Sequence, residues 1–324
     1  MNKISGTRVG VDGVSRDISS ICNYLVNSVE SEIRDRLNAE ISTLKAKNKH
    51  IATDIRDNLR KYLSSDVTEL KKIADYYDKT YSNSFRTKRN SRWRQTKLGR
   101  VISAAFNYES YRKTVLVEIA KQLNVKTCPY CNMHYTLYAN EPKKRTVEKL
   151  ARFQFDHFFD KKRYPMLSMS FYNLIPSCGV CNQGKSTGQL ALEYNPYYSE
   201  IGNLFHFRLK DPLDYYAASR INDEVDVSLV TETGVDKAEF EKFEKMFHLK
   251  ALYGRHGDIV QEVFDKAYED SYYMNPSNFT FLGDRSPSYL ERLWLGNYTE
   301  PEEIEKRPMA KFMQDLWHQA KGEI

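Results

Sequence analysis

The chain has no long apolar run, no glycine-rich phosphate loop and no internal repeat, and it holds only five cysteines in 324 residues. Without an apolar stretch of about 20 residues there is no candidate transmembrane helix. Without an apolar run near the N-terminus there is no secretory leader. The expectation is a soluble, cytoplasmic protein with no membrane partner. Disulfides do not persist in a reducing compartment, so the cysteines are read as thiols. The missing phosphate loop argues against ATP hydrolysis by this chain. Any energy-coupled or gating step would then belong to another subunit. A net charge of +6 is modest, and basic character has to be sought locally.

What is present is concentrated in one stretch. Four of the five cysteines form two Cys-x-x-Cys pairs, Cys128/Cys131 and Cys178/Cys181, with Cys22 far from both. Two such pairs can supply four thiolates to a tetrahedral structural zinc. A redox dithiol or plain buried cysteines are the other readings of that pattern. The 46-residue spacer exceeds that of compact zinc modules, so a folded insert must lie inside it. Phe153 to Phe158 alternates apolar and polar positions, as a half-buried strand does. Tyr172 to Pro176 is a second strand candidate, with Asn173 at its start. Cys181-Asn182-Gln183-Gly184-Lys185 reads as a turn entering a short helix, against which Gly184 and Gly188 argue. Strand, loop, strand and helix make a ββα unit with a metal-binding crevice between hairpin and helix. An isolated Asp156-His157 pair would ordinarily be structural; the cysteine frame around it changes that reading.

These residues carry a resemblance. Cys-Pro-Tyr-Cys, Asp-His-Phe, Tyr-Pro, Asn-Leu-Ile-Pro and Cys-x-x-Cys-Asn-x-x-Lys, spanning about Cys128 to Thr187, resemble the zinc-containing HNH (ββα-metal) endonucleases. Within that family they resemble the nuclease subunits found beside ATPases in bacterial anti-phage defence systems such as Septu and some retrons. The resemblance implies that His157 is the general base that activates water. It also implies that Asp156 and Asn182 are ligands of a catalytic divalent metal, and that Asn173 either holds the His157 ring or fixes the loop beneath it. The usual family has His at the place of Asn182, so this is an HNN variant. A neutral amide oxygen suits Mg2+ or Mn2+ better than zinc. Asp160 stands where related sequences often carry Pro. An ATPase subunit as partner and a role in antiviral defence are likewise implied by the resemblance.

The chemistry has its own logic. A carboxylate and an amide oxygen leave most of an octahedral ion open to water and phosphate oxygens, and a histidine near its ordinary pKa of about 6.5 accepts a proton at neutral pH. Lys161, Lys162 or Lys185 could place charge against the scissile phosphate. Outside this stretch, Arg86, Lys88, Arg89, Arg92, Arg94, Lys97 and Arg100 form an acid-free run around Trp93. Such a run can neutralise phosphates and stack a base, or it can be a solvated loop between helices. Lys143, Lys144 and Arg145 form a smaller basic cluster.

The predicted fold class is α+β, mostly α: a ββα-metal core with a four-cysteine zinc site, flanked by helical regions. The division is 1–100 helical, 101–195 nuclease core and 196–324 mixed but mostly helical. Ile18, Ile21, Leu25, Val29, Ile33, Leu37, Ile41 and Leu44 recur at helical spacing, and Ile51, Ile55, Leu59 and Leu63 continue the stripe. That stripe faces a core by default or else a partner. Asp66 and Glu69 open a further helix in capping-box style, and another helix is predicted over 106–123. Later, strands are predicted over 205–209 and 225–231, and helices over 236–253, 258–268 and 301–320. Two functions follow: a metal-dependent endonuclease with DNA as the expected substrate, or a zinc-stabilised nucleic-acid-binding or scaffold module without catalysis. An RNA-directed nuclease is a variant of the first.

Overall fold

The structure, a computed structural model, describes residues 1–90, 92–142, 147–151, 153–211, 224–273 and 286–323. By proximity of Cα atoms the chain forms two units, each discontinuous in sequence. One comprises Ile4–Val125 and Thr136–Tyr198, the other Met1–Lys3, Lys126–Tyr135 and Ser199–Ile324. Neither coincides with one of the three consecutive stretches drawn from sequence.

The larger unit opens with a short hairpin, β1 (Thr7–Val9) on β2 (Ser15–Asp17). Asp17 then caps α1 (Ile18–Ile41) by accepting from the Ser19 N–H. The apolar stripe of α1 is fully used inside the unit: Ile21, Leu25, Val29, Ile33 and Leu37 are inaccessible to solvent. Each such side chain contributes roughly 1.5–3 kcal/mol of burial. Around it pack α2 (Ala46–Asp57), α3 (Leu59–Ser64), α5 (Lys97–Phe106) and α7 (Val115–Leu123). The core-facing reading of the stripe is therefore the one observed. Asp66 caps α4 (Val67–Thr80) through the Glu69 N–H at 2.8 Å.

The single helix predicted over 106–123 is broken. Asn107 adopts a left-handed conformation at φ 42° and ends α5, leaving a one-turn α6 (Tyr108–Tyr111) before α7. Asparagine tolerates that conformation better than most residues, so the apolar periodicity runs across a break it cannot register.

The basic run is not a loop: Lys97 and Arg100 lie in α5, and the other five cations belong to an antiparallel hairpin, β3 (Arg86–Arg89) on β4 (Arg92–Gln95). Its base is closed by Thr96, whose N–H donates to Phe85 O at 2.9 Å, while its hydroxyl caps α5 by accepting from the Gly99 N–H. Gly99 is required there: a Cβ would sit 2.1 Å from Phe85 O. Farther along come the paired strands β5 (Tyr138–Pro142) and β6 (Val147–Ala151). A further antiparallel pair follows, β7 (Gln154–His157) on β8 (Leu174–Ser177), and then the short helix α8 (Gly179–Lys185), which packs on β7.

The smaller unit holds the first Cys-x-x-Cys turn and an aromatic core. β9 (Phe205–Leu209) pairs with β10 (Val227–Thr231) and buries Phe205, Phe207 and Leu209 at alternate positions. Helices α9 (Lys237–Phe247), α10 (Leu249–Tyr253), α11 (Gly257–Tyr273), α12 (Pro287–Leu295) and α13 (Ala310–Ala320) follow. The helix predicted over 236–253 is interrupted at His248 (φ 52°), and the one over 301–320 begins only after Met309 (φ 66°), behind a 3-10 turn at Pro301–Lys306. Within that core Phe207, Tyr253 and Phe312 lie 4.4–5.2 Å apart between centroids. Among the described residues no helix is long and apolar enough to cross a membrane.

Gly99→Ala is expected to destabilise the chain by about 1–3 kcal/mol, because backbone rather than a flexible side chain must yield. A urea midpoint equal to that of the wild type would show that the approach of Phe85 to α5 is not tight.

Candidate active site

The cysteines come first. The sulfurs of Cys128, Cys131, Cys178 and Cys181 all lie within 4.8 Å of one another and all four residues are buried. A tetrahedral zinc with Zn–S bonds of about 2.3 Å has sulfur–sulfur edges of roughly 3.8 Å, so the donor set fits that ion. Two sulfurs accept backbone N–H bonds at 3.4 Å, Cys131 from Met133 and Cys178 from Cys181. Bonds of that kind stabilise a thiolate. His134, left out of the predicted site, has its Nδ1 3.8 Å from Cys131 Sγ. The first pair is held in shape by Asn132 (φ 51°), whose amide donates to Thr127 Oγ1 and Ile304 O and accepts from the Lys311 N–H. Tyr253 adds a bond from its hydroxyl to Cys131 O at 2.5 Å. Cys22 stands apart; burial pushes its thiol up to about 12, leaving it protonated and unreactive.

Asp156, His157 and Asn182 line one crevice of about 200 Å³, together with Tyr108, Asp160 and Lys161. β7 supplies the first two and α8 the third. His157 Nε2 lies 3.0 Å from Ser168 O. A carbonyl only accepts, so Nε2 carries the proton and Nδ1 keeps the lone pair of a base. Burial, then the charges of Lys161 and Lys185, hold the imidazole down at about 3. Tyr108 packs edge-on against it at 4.5 Å between ring centres.

Asn173 is fully buried. Its side chain accepts from the Phe159 N–H at 2.7 Å and donates to Phe159 O and Leu167 O. Of its two expected roles, fixing the loop is the one these bonds describe; the His157 ring is held by Ser168 instead. Asn182 donates its amide N–H to Gln154 Oε1, which leaves its oxygen as the atom suited to a cation.

Lys185 requires a correction. It was expected to face a phosphate, yet its side chain has no solvent exposure. Its ammonium is 3.2 Å from each oxygen of Asp156 and donates to His157 O at 2.7 Å. Its charge is directed inward. Asp156 and Asn182 offer the hard oxygen donors that Mg2+ or Mn2+ prefers, but any such ion would share the carboxylate with Lys185. Lys161 lines the crevice, paired with Glu109 at 3.0 Å and 4.1 Å above the Tyr108 ring. Asp160, the departure noted from sequence, pairs with Arg86 at 3.1 Å.

Arg89, Arg92 and Arg94 are exposed on the β3–β4 hairpin. The register pairs Arg89 with Arg92, Thr87 with Arg94 and Lys88 with Trp93. Alternation then places all three arginines on one face and Arg86, Lys88 and Trp93 on the other. The cluster Lys143, Lys144 and Arg145 lies outside the described residues. Sequence reasoning missed Ser168, Tyr108 and Gln154. Only Gln154 left a signal, being two residues before Asp156 on the same strand face; a carbonyl contact leaves none. No protein-family model, curated protein or solved structure matches the chain, so the family resemblance rests on the motif residues themselves.

Two outcomes follow. The purified chain is expected to carry about one zinc per molecule, measured by elemental analysis, and Cys128→Ser is expected to lose it together with thermal stability. A metal-free wild type that melts at the same temperature as Cys128→Ser would overturn the zinc assignment. Lys185→Met leaves a buried carboxylate without its partner and is expected to cost about 3–5 kcal/mol in urea unfolding without added divalent ions. A loss below 1 kcal/mol would mean that Asp156 reaches water.

Proposed function

We propose that the chain is a metal-dependent endonuclease that hydrolyses phosphodiester bonds of nucleic acid, with DNA as the expected substrate. The observation that carries this reading is the convergence of a proton-accepting His157, its other nitrogen tied to Ser168 O, with Asp156 and Asn182 in one crevice. In this reading His157 Nδ1 takes the proton of the attacking water. Asp156 and Asn182 would hold Mg2+ or Mn2+, which supplies charge stabilisation on the phosphate and the leaving oxygen. Lys161 adds positive charge at the rim, and the exposed arginines of the β3–β4 hairpin neutralise backbone phosphates farther along. A place as effector nuclease in bacterial anti-phage defence, beside an ATPase subunit, rests on the motif resemblance. The apolar stripe of α1 lends the ATPase no docking face, because it is buried within its own unit.

A second reading, a zinc-stabilised nucleic-acid-binding module without catalysis, is favoured by the contacts of Asp156. Lys185 sits at hydrogen-bond distance from both of its carboxylate oxygens, as in a purely structural ion pair.

Cleavage decides between them. Plasmid, linear DNA and structured RNA are incubated with the full chain and Mg2+ or Mn2+, beside His157→Ala. Metal-dependent cutting that falls by about 10²–10⁴-fold in His157→Ala, with folding and binding retained, is the expected result. Cutting unchanged by the substitution would remove His157 from the role of base. Binding without cutting under every condition would transfer the assignment to the second reading, and cutting of RNA alone would change the substrate.

A further inference from the structure

On the Trp93 face of the β3–β4 hairpin lies a cavity of about 190 Å³ lined by Tyr81, Phe85, Arg86, Trp93, Arg163 and Asp78, among others. We infer that it is a binding pocket for one unpaired nucleobase of the strand whose phosphate occupies the His157 crevice. The inference rests on the nucleic-acid reading above and names its substrate class: a strand with unpaired bases.

Three features of the pocket select a base. The first is its walls. Trp93 is 51% exposed, and the Arg86 guanidinium lies 4.4 Å from its ring centre. Tyr81 and Phe85 both pack on Tyr77, at 5.6 and 5.5 Å between centroids. Aromatic rings and guanidinium planes are the surfaces on which unstacked bases lie.

The second feature is the state of its charges. Arg163 is bidentate on Asp78 at 3.1 and 2.7 Å, Tyr164 donates to the same carboxylate, and Arg86 pairs with Asp160. Each cation already faces an anion, so the pocket is a poor phosphate site. The guanidinium donors left over suit the oxygen and nitrogen acceptors on the edge of a neutral ring. Phosphates find free cations on the opposite face of the hairpin, where none of Arg89, Arg92 and Arg94 forms an ion pair among the described residues.

The third feature is size and place. Pockets for drug-sized ligands run to roughly 300–1,000 Å³; this one holds a single ring system. A base inside a duplex has both faces covered and cannot enter without being extruded. Arg86 lines the pocket and Asp160 lines the crevice, so their ion pair joins the two sites. A strand held at His157 therefore presents a neighbouring nucleotide to Trp93.

The test measures binding of the full chain in the His157→Ala background, with and without Trp93→Ala. The probes are a fluorescent single-stranded oligodeoxynucleotide, the matching duplex and deoxyadenosine monophosphate. Trp93→Ala is expected to weaken single-strand binding by roughly 5- to 100-fold, with the salt slope unchanged because stacking releases no counterions. Duplex binding should stay within about two-fold, and Trp93→Phe should recover most of the loss. Equal weakening of single strand and duplex, or none of either, overturns the pocket. Binding of the mononucleotide as tight as that of the oligonucleotide overturns the strand and leaves a free-nucleotide site. None of these readouts requires cleavage, so a chain that never cuts would sink the nuclease reading and leave this one standing or falling on the Trp93 result.

Discussion

A buried ammonium on a buried carboxylate organises the centre of this site. Lys185 and Asp156 have side-chain exposures of 0% and 2%. Neither could be charged there alone, because an isolated ion in such surroundings costs several kcal/mol. The geometry matches the chemistry: three N–H donors meet three oxygens, both of Asp156 and the carbonyl of His157. Since Lys185 ends α8 and Asp156 sits in β7, the pair locks helix to strand. Cys181 and Asn182 ride on the same short helix and inherit its position. A seven-residue helix that contains two glycines, Gly179 and Gly184, has little stability of its own; its ion pair and packing on β7 supply it.

The same pair governs the base. With Asp156 paired to Lys185, the burial of His157 and the positive charges of Lys161 and Lys185 outweigh the bond to Ser168 O, and the imidazole is held at about 3. It is neutral at every physiological pH and so always able to accept a proton, but a base held so low is a weak one. An anionic phosphate in the crevice acts in the opposite direction, since negative charge favours imidazolium. On the proposed function, substrate would therefore strengthen the base that attacks it. The bond from Nε2 to Ser168 O keeps the tautomer fixed through that change.

How much of this was legible depended on whether the signal was local. The four cysteines were, because paired spacing is itself a geometric statement, and they meet as that spacing implied. β7 was legible as a strand through alternation, although the fold buries three consecutive residues of it rather than one face, and the cap of α4 was legible through Asp66 and Glu69. Helix ends were not: Asn107, His248 and Met309 break three apolar patterns by adopting left-handed backbone without glycine. Lys185 looked like a surface cation because lysines usually are, and only the tertiary fold reveals that Asp156 awaits it. The basic run misled differently. Arg, Lys, Asn and Ser carry little β propensity, yet closure at Phe85 and Thr96 and the seat on α5 impose a hairpin on it.

The hairpin also shows what the fold does with positive charge. In the crevice, Lys185 and Lys161 each have an acid, and Arg86 and Arg163 have theirs. On the outer face of the hairpin Arg89 stands directly across from Arg92, with Arg94 two residues along, and the sequence from 86 to 100 contains no acid to relieve them. Like charges placed opposite each other on a two-stranded ribbon are destabilising, and a lone hairpin is marginal to begin with. The fold pairs Lys185, Lys161, Arg86 and Arg163 with acids and leaves Arg89, Arg92 and Arg94 outside any ion pair among the described residues. A regularly spaced polyanion removes that repulsion and gains from it, because each phosphate neutralised releases a counterion. A protein partner could do the same only with acids at matching spacing; nucleic acid supplies that spacing in any sequence. On the proposed function, the exposed arginines and the aromatic pocket on the reverse face would divide one strand between them, backbone to one side and base to the other.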